Sequence, residues 1–361
     1  MKIIFLVTVL SSLMIGNCYS QSIPFNSDNW EISSKTSKLE TYLGKESIFL
    51  SQGFAIAKDV QLMNGTIEYD VAFSEKRGFM GVVWRLQDLE NHEHFYIRSH
   101  QSGNPDSIQY TPIFNGSSAW QLYYGAGYST AVKHSFDKWV HIKLIIFGKQ
   151  AEVYIDDMES PALSIHDLKH EVKIGKFGIV VGPGSPAHFA NFSYTTESKL
   201  SLKEKLVTPK GSIMSWSVSN SFAEKSLKNY LTDVDKQNLT WKQLTADYSG
   251  ITNLAKVQTR EKVKNSVFAK VIIVSESEQV KPLKFGFSDR AKVYLNDQLI
   301  YSGDNTYRSR DYRFLGTIGY FDELYLPLKK GNNELWIAVS ENFGGWGIQA
   351  KFADMDGILI K

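Results

Sequence analysis

From Gly65 to Phe73 the chain alternates strictly, with Ile67, Tyr69, Val71 and Phe73 on one side and Glu68, Asp70 and Ala72 on the other. Such period-two patterning marks an extended strand with one buried face. Similar short segments, punctuated by Gly, Asn, Asp and Pro, predict further strands over residues 79–86, 93–99, 108–114, 120–124, 139–147, 151–155, 176–181 and 188–194. No long segment carries the 3.6-residue period of an amphipathic helix. Many short strands at this spacing predict an antiparallel sandwich in preference to a parallel α/β sheet. Residues 197–211 are polar and lysine-rich and read as a linker. Strand grammar then resumes, with a hairpin turn at Asn296-Asp297 and another turn at Lys330-Gly331-Asn332-Asn333. The expected fold is therefore all-β, with one sandwich over 21–196 and a second over 212–361.

The order of motifs in each half is informative. Trp139-Val140-His141-Ile142-Lys143 is followed by Val153-Tyr154-Ile155-Asp156 and then by Gly175-Lys176-Phe177-Gly178. This succession resembles the concanavalin A-like and laminin-G-like sandwiches, and the bacterial domain family named for hydrolysis of 3-keto-disaccharides. In the second half, Val293-Tyr294-Leu295-Asn296 precedes Leu328-Lys329-Lys330-Gly331-Asn332-Asn333-Glu334-Leu335. That pattern resembles the galactose-binding-like jelly rolls that accompany glycosidases. The resemblance implies a fold for each half and a carbohydrate context; a fold alone does not define chemistry.

The amino terminus changes where this protein is expected to work. Met1-Lys2, an apolar run from Ile3 to Ile15 and the small or polar residues up to Gln21 form the three-part layout of a signal peptide over 1–20. The apolar run is shorter than the ~20 residues of a membrane span. A secreted or periplasmic protein is expected. Cys18 is the only cysteine, so the alternative is a lipid anchor at that thiol, which the preceding Ile15-Gly16-Asn17 fits less well. If Cys18 leaves with the signal, no disulfide can form and packed cores must supply stability. Forty Lys and Arg against 38 Asp and Glu give a near-balanced surface, which argues against a dedicated nucleic-acid partner.

The densest polar and aromatic region runs from Trp84 to Tyr124. On an extended strand His92, His94, Tyr96, Arg98 and His100 share one face, and Glu93, Phe95, Ile97 and Ser99 take the other. In the sandwiches this half resembles, a concave sheet face is the common sugar-binding surface. Trp84, Arg85, Tyr96, Arg98, His100, Gln101, Asn104, Tyr110 and Trp120 are the candidate ligand-binding residues, because sugars offer hydroxyls to polar groups and a C–H face to rings. The alternative is that Arg98 and His100 only tie down the following loop, with Asp106 as a salt partner. A zinc site from His92, His94 and His100 is the sharper idea, but the third ligand is distant and no obligatory metal is predicted. Structural calcium leaves no local motif and stays open.

Glycoside hydrolysis on this fold requires paired carboxylates. Glu68 and Asp70 match the first two acids of the E-x-D-x-E strand of laminarinase-type enzymes, but Ala72 and Phe73 stand where the third belongs, and Glu75 comes too late. As neighbours on an edge-like strand, Glu68 and Asp70 read as a solvated face. Glu93, Asp88 and Asp106 around the aromatic region are the remaining acids, with Glu93 and Asp106 the leading candidates. No Gly-x-Ser-x-Gly elbow or phosphate loop is present. In the second half, the loop 307–313 is dense in Tyr and Arg and reads as ion-paired or as a glycan contact, and Gly344-Gly345-Trp346-Gly347 as close backbone approach around a buried indole. Three functions follow: an exported carbohydrate-recognition protein with an oligo- or polysaccharide ligand, a secreted hydrolase of a glycoside or 3-keto-disaccharide, or a protein-binding surface module.

Overall fold

The computed structural model describes residues 20–203 and 206–361; the expected signal segment, including Cys18, lies almost wholly outside them. The strands of five residues or more in the first half are β1 (Trp30–Tyr42), β2 (Lys45–Ala57), β3 (Gly65–Phe73), β4 (Phe79–Asp88), β5 (Asn91–Arg98), β6 (Ile108–Phe114), β7 (Val140–Phe147), β8 (Gln150–Ile155), β9 (Lys176–Val181) and β10 (Ala187–Thr195). They pair antiparallel in the order β8-β7-β3-β10-β2-β9-β4-β5-β6, with β1 on β2. One curled sheet thus supplies both layers. β2 makes the passage between them: its Ile48 and Leu50 pair with β10, and its residues from Gly53 to Ile56 pair with β9. Gly53 sits at the bend with φ +153°, and a Cβ there would lie 2.2 Å from the Ser33 carbonyl oxygen, so only glycine fits.

Alternation decides which face of each strand is core. Ile67, Tyr69 and Val71 of β3 meet Ile142, Leu144 and Ile146 of β7 and Phe95 and Ile97 of β5 inside the sandwich, all essentially inaccessible to water. The long β1–β2 hairpin escapes a period-two search because β1 is an exposed edge strand of mixed polarity. β3 is central, flanked by β7 and β10, which corrects its assignment as edge-like.

The second half contains β11 (Ser215–Ser219), β12 (Trp241–Thr245), β13 (Ser266–Ser275), β14 (Gln279–Ser288), β15 (Arg290–Leu295), β16 (Gln298–Asp304), β17 (Asp322–Leu328), β18 (Gly331–Ser340) and β19 (Gly347–Phe352). One sheet runs β12-β11-β13-β18-β15-β16 and the other β19-β14-β17, closing a second sandwich around Trp216, Phe285, Phe287 and Trp346. The hairpin turn at Asn296-Asp297 places both residues at positive φ, 48° and 73°, the geometry of a two-residue type I′ turn.

The two halves interlock. The segment 120–124, expected as a strand, is a series of turns because its backbone bonds to the other half: Gln121 N–H donates to the Gly344 carbonyl at 2.9 Å, and Ile318 N–H donates to the Gln121 carbonyl at 2.9 Å. The fully buried Gln121 side chain donates to the Leu315 carbonyl at 2.7 Å and accepts from the Ser288 hydroxyl at 3.3 Å. Gly344 and Gly345 make room for this plug: a Cβ at Gly344 would stand 2.1 Å from Gln121 Oε1. Behind them the Trp346 indole is buried and donates to the Val339 carbonyl at 3.0 Å. A second clasp forms where buried Lys169 reaches Asp167 and Asp247, each at 2.8 Å.

Candidate functional site

The outward face of β5 forms the floor of a cavity of about 700 Å³ between the two halves. His92, His94, Tyr96 and Arg98 project into it at every second residue, and His100 and Gln101 join from the short turn that follows. Phe54 of β2, Phe79 of β4 and Val180 of β9 extend the floor, and Trp120 rises from the turn segment. The second half closes the opposite side with Arg260, Tyr307, Leu315, Glu341 and Phe343. The Trp120 and Phe343 rings meet edge-on at 5.7 Å, so the cavity wall is continuous across the junction.

The imidazoles on the floor are electrically neutral at physiological pH. Burial lowers His92 to about 4, helped by His170, and lowers His94 to about 3, helped by His92; burial also lowers His100. His92 Nδ1, His94 Nε2 and His100 Nδ1 have no hydrogen-bond partner among the described residues. A neutral imidazole has one donor and one acceptor nitrogen, and its tautomer sets which is which. Tyr96 is held by a 3.1 Å hydrogen bond to Gln109.

Arg98 is anchored. Its guanidinium donates to the Asp106 carbonyl at 2.8 Å, lies 3.4 Å from the Asp106 carboxylate, and stands over the Tyr96 and Trp120 rings at 4.9 and 5.3 Å. The loop-tying role is thus real, and Arg98 and Asp106 still face the cavity. Glu341 contributes a different carboxyl. Burial, and then repulsion from Asp289, raises it to about 8, while Gly345 N–H donates to its Oε1 at 3.0 Å. It therefore holds its proton at neutral pH.

Tyr96, Arg98, His100, Gln101, Asp106 and Trp120 come together as cavity residues; four other candidate ligand-binding residues and Glu93 do not. Trp84 points inward with Met80 and Val82 and is core. Arg85 follows it at a β-bulge with φ 49°, which turns the side chain to the Met63 and Gly148 carbonyls. Tyr110 and Glu93 face the sandwich interior and bind each other at 2.6 Å, and Glu93 also accepts from His170 N–H at 3.0 Å. Glu93 is therefore a structural carboxylate, inaccessible to a ligand in the cavity. Asn104 is exposed on the loop and donates to Gln101 at 2.7 Å. In the loop 307–313 only Tyr307 reaches the cavity; Arg310 pairs with Asp322, and Arg313 with Asp311 at 3.0 Å.

Arg260, Glu341 and Phe343 were not singled out in the sequence, since nothing local links them to β5. The only signal was the glycine cluster beside Phe343. Glu68 and Asp70 lie on the far side of the first sandwich. His141 bridges them, with Nδ1 2.8 Å from Asp70 and Nε2 3.3 Å from Glu68, and Lys45 and Asn191 complete the ring around Asp70 at 2.7 and 2.6 Å. Both imidazole nitrogens are committed there, so the cluster is a tie between strands. Among the described residues no group of three or more His, Cys, Asp or Glu is arranged to hold a metal, and no helix is long and apolar enough to cross a membrane.

No protein-family model and no curated protein sequence matches this chain. Solved structures similar to it include a carbohydrate-binding module of family 66 from Bacillus subtilis, with 17% identity and a TM-score of 0.36 over 48% of this chain and 99% of that one. A protein of unknown function with a galectin-like fold from Bacillus subtilis shows 14% identity and a TM-score of 0.36 over 50% of this chain and 96% of that one. A Bacillus licheniformis beta-glucanase shows 11% identity and a TM-score of 0.35 over 51% of this chain and 100% of that one.

Proposed function

We propose that this is an exported carbohydrate-binding protein whose ligand occupies the cavity between the two sandwiches. The observation that carries the proposal is the floor of neutral imidazoles. His92, His94 and His100 line, with Gln101, a cavity walled by Tyr96, Trp120 and Phe343. A sugar supplies hydroxyls to polar side chains and a C–H face to the rings, which suits such a mixed lining.

The test is a glycan array with the protein lacking residues 1–20, followed by calorimetric titration of any hit. His94→Phe keeps an aromatic ring and removes the nitrogens; it is expected to weaken binding about tenfold, a typical value for one unfilled hydrogen bond. Absence of binding to every glycan, with specific capture of a protein on the aromatic wall, would sink the carbohydrate reading and favour a protein-binding module.

A hydrolase is the second reading, favoured by Glu341. A carboxyl that keeps its proton beside a sugar can pass it to the leaving glycosidic oxygen as that bond breaks, which is general-acid chemistry. Asp106 remains in the cavity as the second carboxylate. Glu341→Gln should then retain binding and abolish turnover; equal turnover in the variant removes the assignment.

A further inference from the structure

The charges around the cavity do not cancel. Three guanidiniums, Arg77, Arg98 and Arg260, and two carboxyls, Asp106 and Glu341, line it. Arg98 and Asp106 neutralise each other at 3.4 Å. Glu341 carries no charge at neutral pH, because burial and Asp289 outweigh the attraction of Arg260 and Arg290. Arg77 stands 4.9 Å over the Phe79 ring, and Arg260 attracts the Glu341 carboxyl, whose ionised form burial disfavours. The histidines add no compensating charge. The cavity is left with a positive excess at two exposed guanidiniums, one from each sandwich.

We infer that the cavity selects acidic glycans, sugars that carry a carboxylate or a sulfate, through Arg77 and Arg260. This rests on the glycan-binding proposal and names the ligand class for the same site. A guanidinium presents a planar fork of donors that matches a carboxylate or sulfate and suits it better than a neutral hydroxyl. Both guanidiniums are exposed to solvent, so their attraction for an anionic group is screened by salt. The neutral floor and the cationic rim divide the work: ring nitrogens for hydroxyls, guanidiniums for the acid group.

Titration calorimetry on the full two-sandwich protein would use matched pairs that differ only in charge. Tetragalacturonate is compared with its methyl ester, and a κ-carrageenan tetrasaccharide with its desulfated form. In at least one pair the charged sugar should bind about tenfold more tightly at about 0.05 M salt, and the ratio should shrink at about 0.5 M. The responding pair tells carboxylate from sulfate. In the Arg77→Gln/Arg260→Gln variant the ratio should fall close to one. If neutral and acidic partners bind equally to the unaltered protein, or the ratio survives in the double variant, the selectivity inference is overturned while glycan binding stands. If no glycan binds, here or on the array, both fall together.

Discussion

Replacing Gln121 by Ala tests whether the junction between the sandwiches is a packed interior. Gln121 is fully buried, its amide nitrogen donates to the Leu315 carbonyl at 2.7 Å, and its amide oxygen accepts from Ser288 at 3.3 Å. Truncation leaves the Leu315 carbonyl without its donor, a loss of about 1–3 kcal/mol. The emptied volume beside Gly344 and Gly316 adds about 1–2 kcal/mol. The backbone bonds of residue 121 are retained, so the expected total is about 3 kcal/mol. Urea denaturation followed by tryptophan fluorescence measures it, and glycan titration should show weaker binding because Trp120 and Phe343 meet next to the plug. Gly344→Ala sharpens the test: its new Cβ would lie 2.1 Å from Gln121 Oε1. Combined with Gln121→Ala the clash disappears, so the double variant should be at least about 1 kcal/mol more stable than additivity requires. A loss below about 0.5 kcal/mol in Gln121→Ala, or strict additivity in the pair, would refute a tightly packed junction.

Other outcomes follow from the same geometry. Glu93→Gln should lower stability by about 1–3 kcal/mol through its bonds to Tyr110 and His170, while glycan affinity changes less than about twofold; loss of binding at unchanged stability would contradict its inward placement. His141 is raised to about 9 by Asp70 and then Glu68, so its contribution is complete below its ordinary value of 6.5 and is lost as pH rises through 9. Burial alone would raise Asp70, but hydrogen bonds from His141, Lys45 and Asn191 hold it at about 2, so its share fades only as pH falls from 3.8 through 2. His141→Gln should therefore cost about 1 kcal/mol near pH 6, after discounting for solvent screening, and almost nothing near pH 10; equal losses at both would exclude the ion-paired state. Glu341 is raised from 4.5 to about 8 by burial and Asp289, with Arg260 and Arg290 opposing and the Gly345 N–H favouring its ionised form. The native state thus binds this proton more tightly than the unfolded chain, and stability falls as pH climbs from 4.5 to 8. Glu341→Gln should flatten that slope and be more stable than the unaltered protein near pH 8; an unchanged slope in denaturation curves taken at pH 5 and 8 would remove the buried-acid assignment.

Period-two alternation by itself determined the all-β class, most strand positions in the first sandwich and the division of β5 into His92, His94, Tyr96 and Arg98 on one face and Glu93, Phe95 and Ile97 on the other. It could do so because a strand's side chains alternate whatever its neighbours are, and because one face of each of these strands is core. The hairpin at Asn296-Asp297 was legible for a similarly local reason, since few residues accept two successive positive φ values. What lay across from β5 was not local. A bulge at Arg85 reversed the direction of that side chain, and the inward placement of Trp84 and Tyr110 followed from pairing register. The turns around Gln121 exist because their hydrogen bonds cross to the second sandwich, where no pattern in 120–124 could locate them. Glu341, Arg260 and Phe343 reach the cavity from about two hundred residues away along the chain only when that plug seats against Gly344. The sequence therefore determined one wall, and the packing of the two sandwiches decided that it lines a cavity between them instead of an open sheet face.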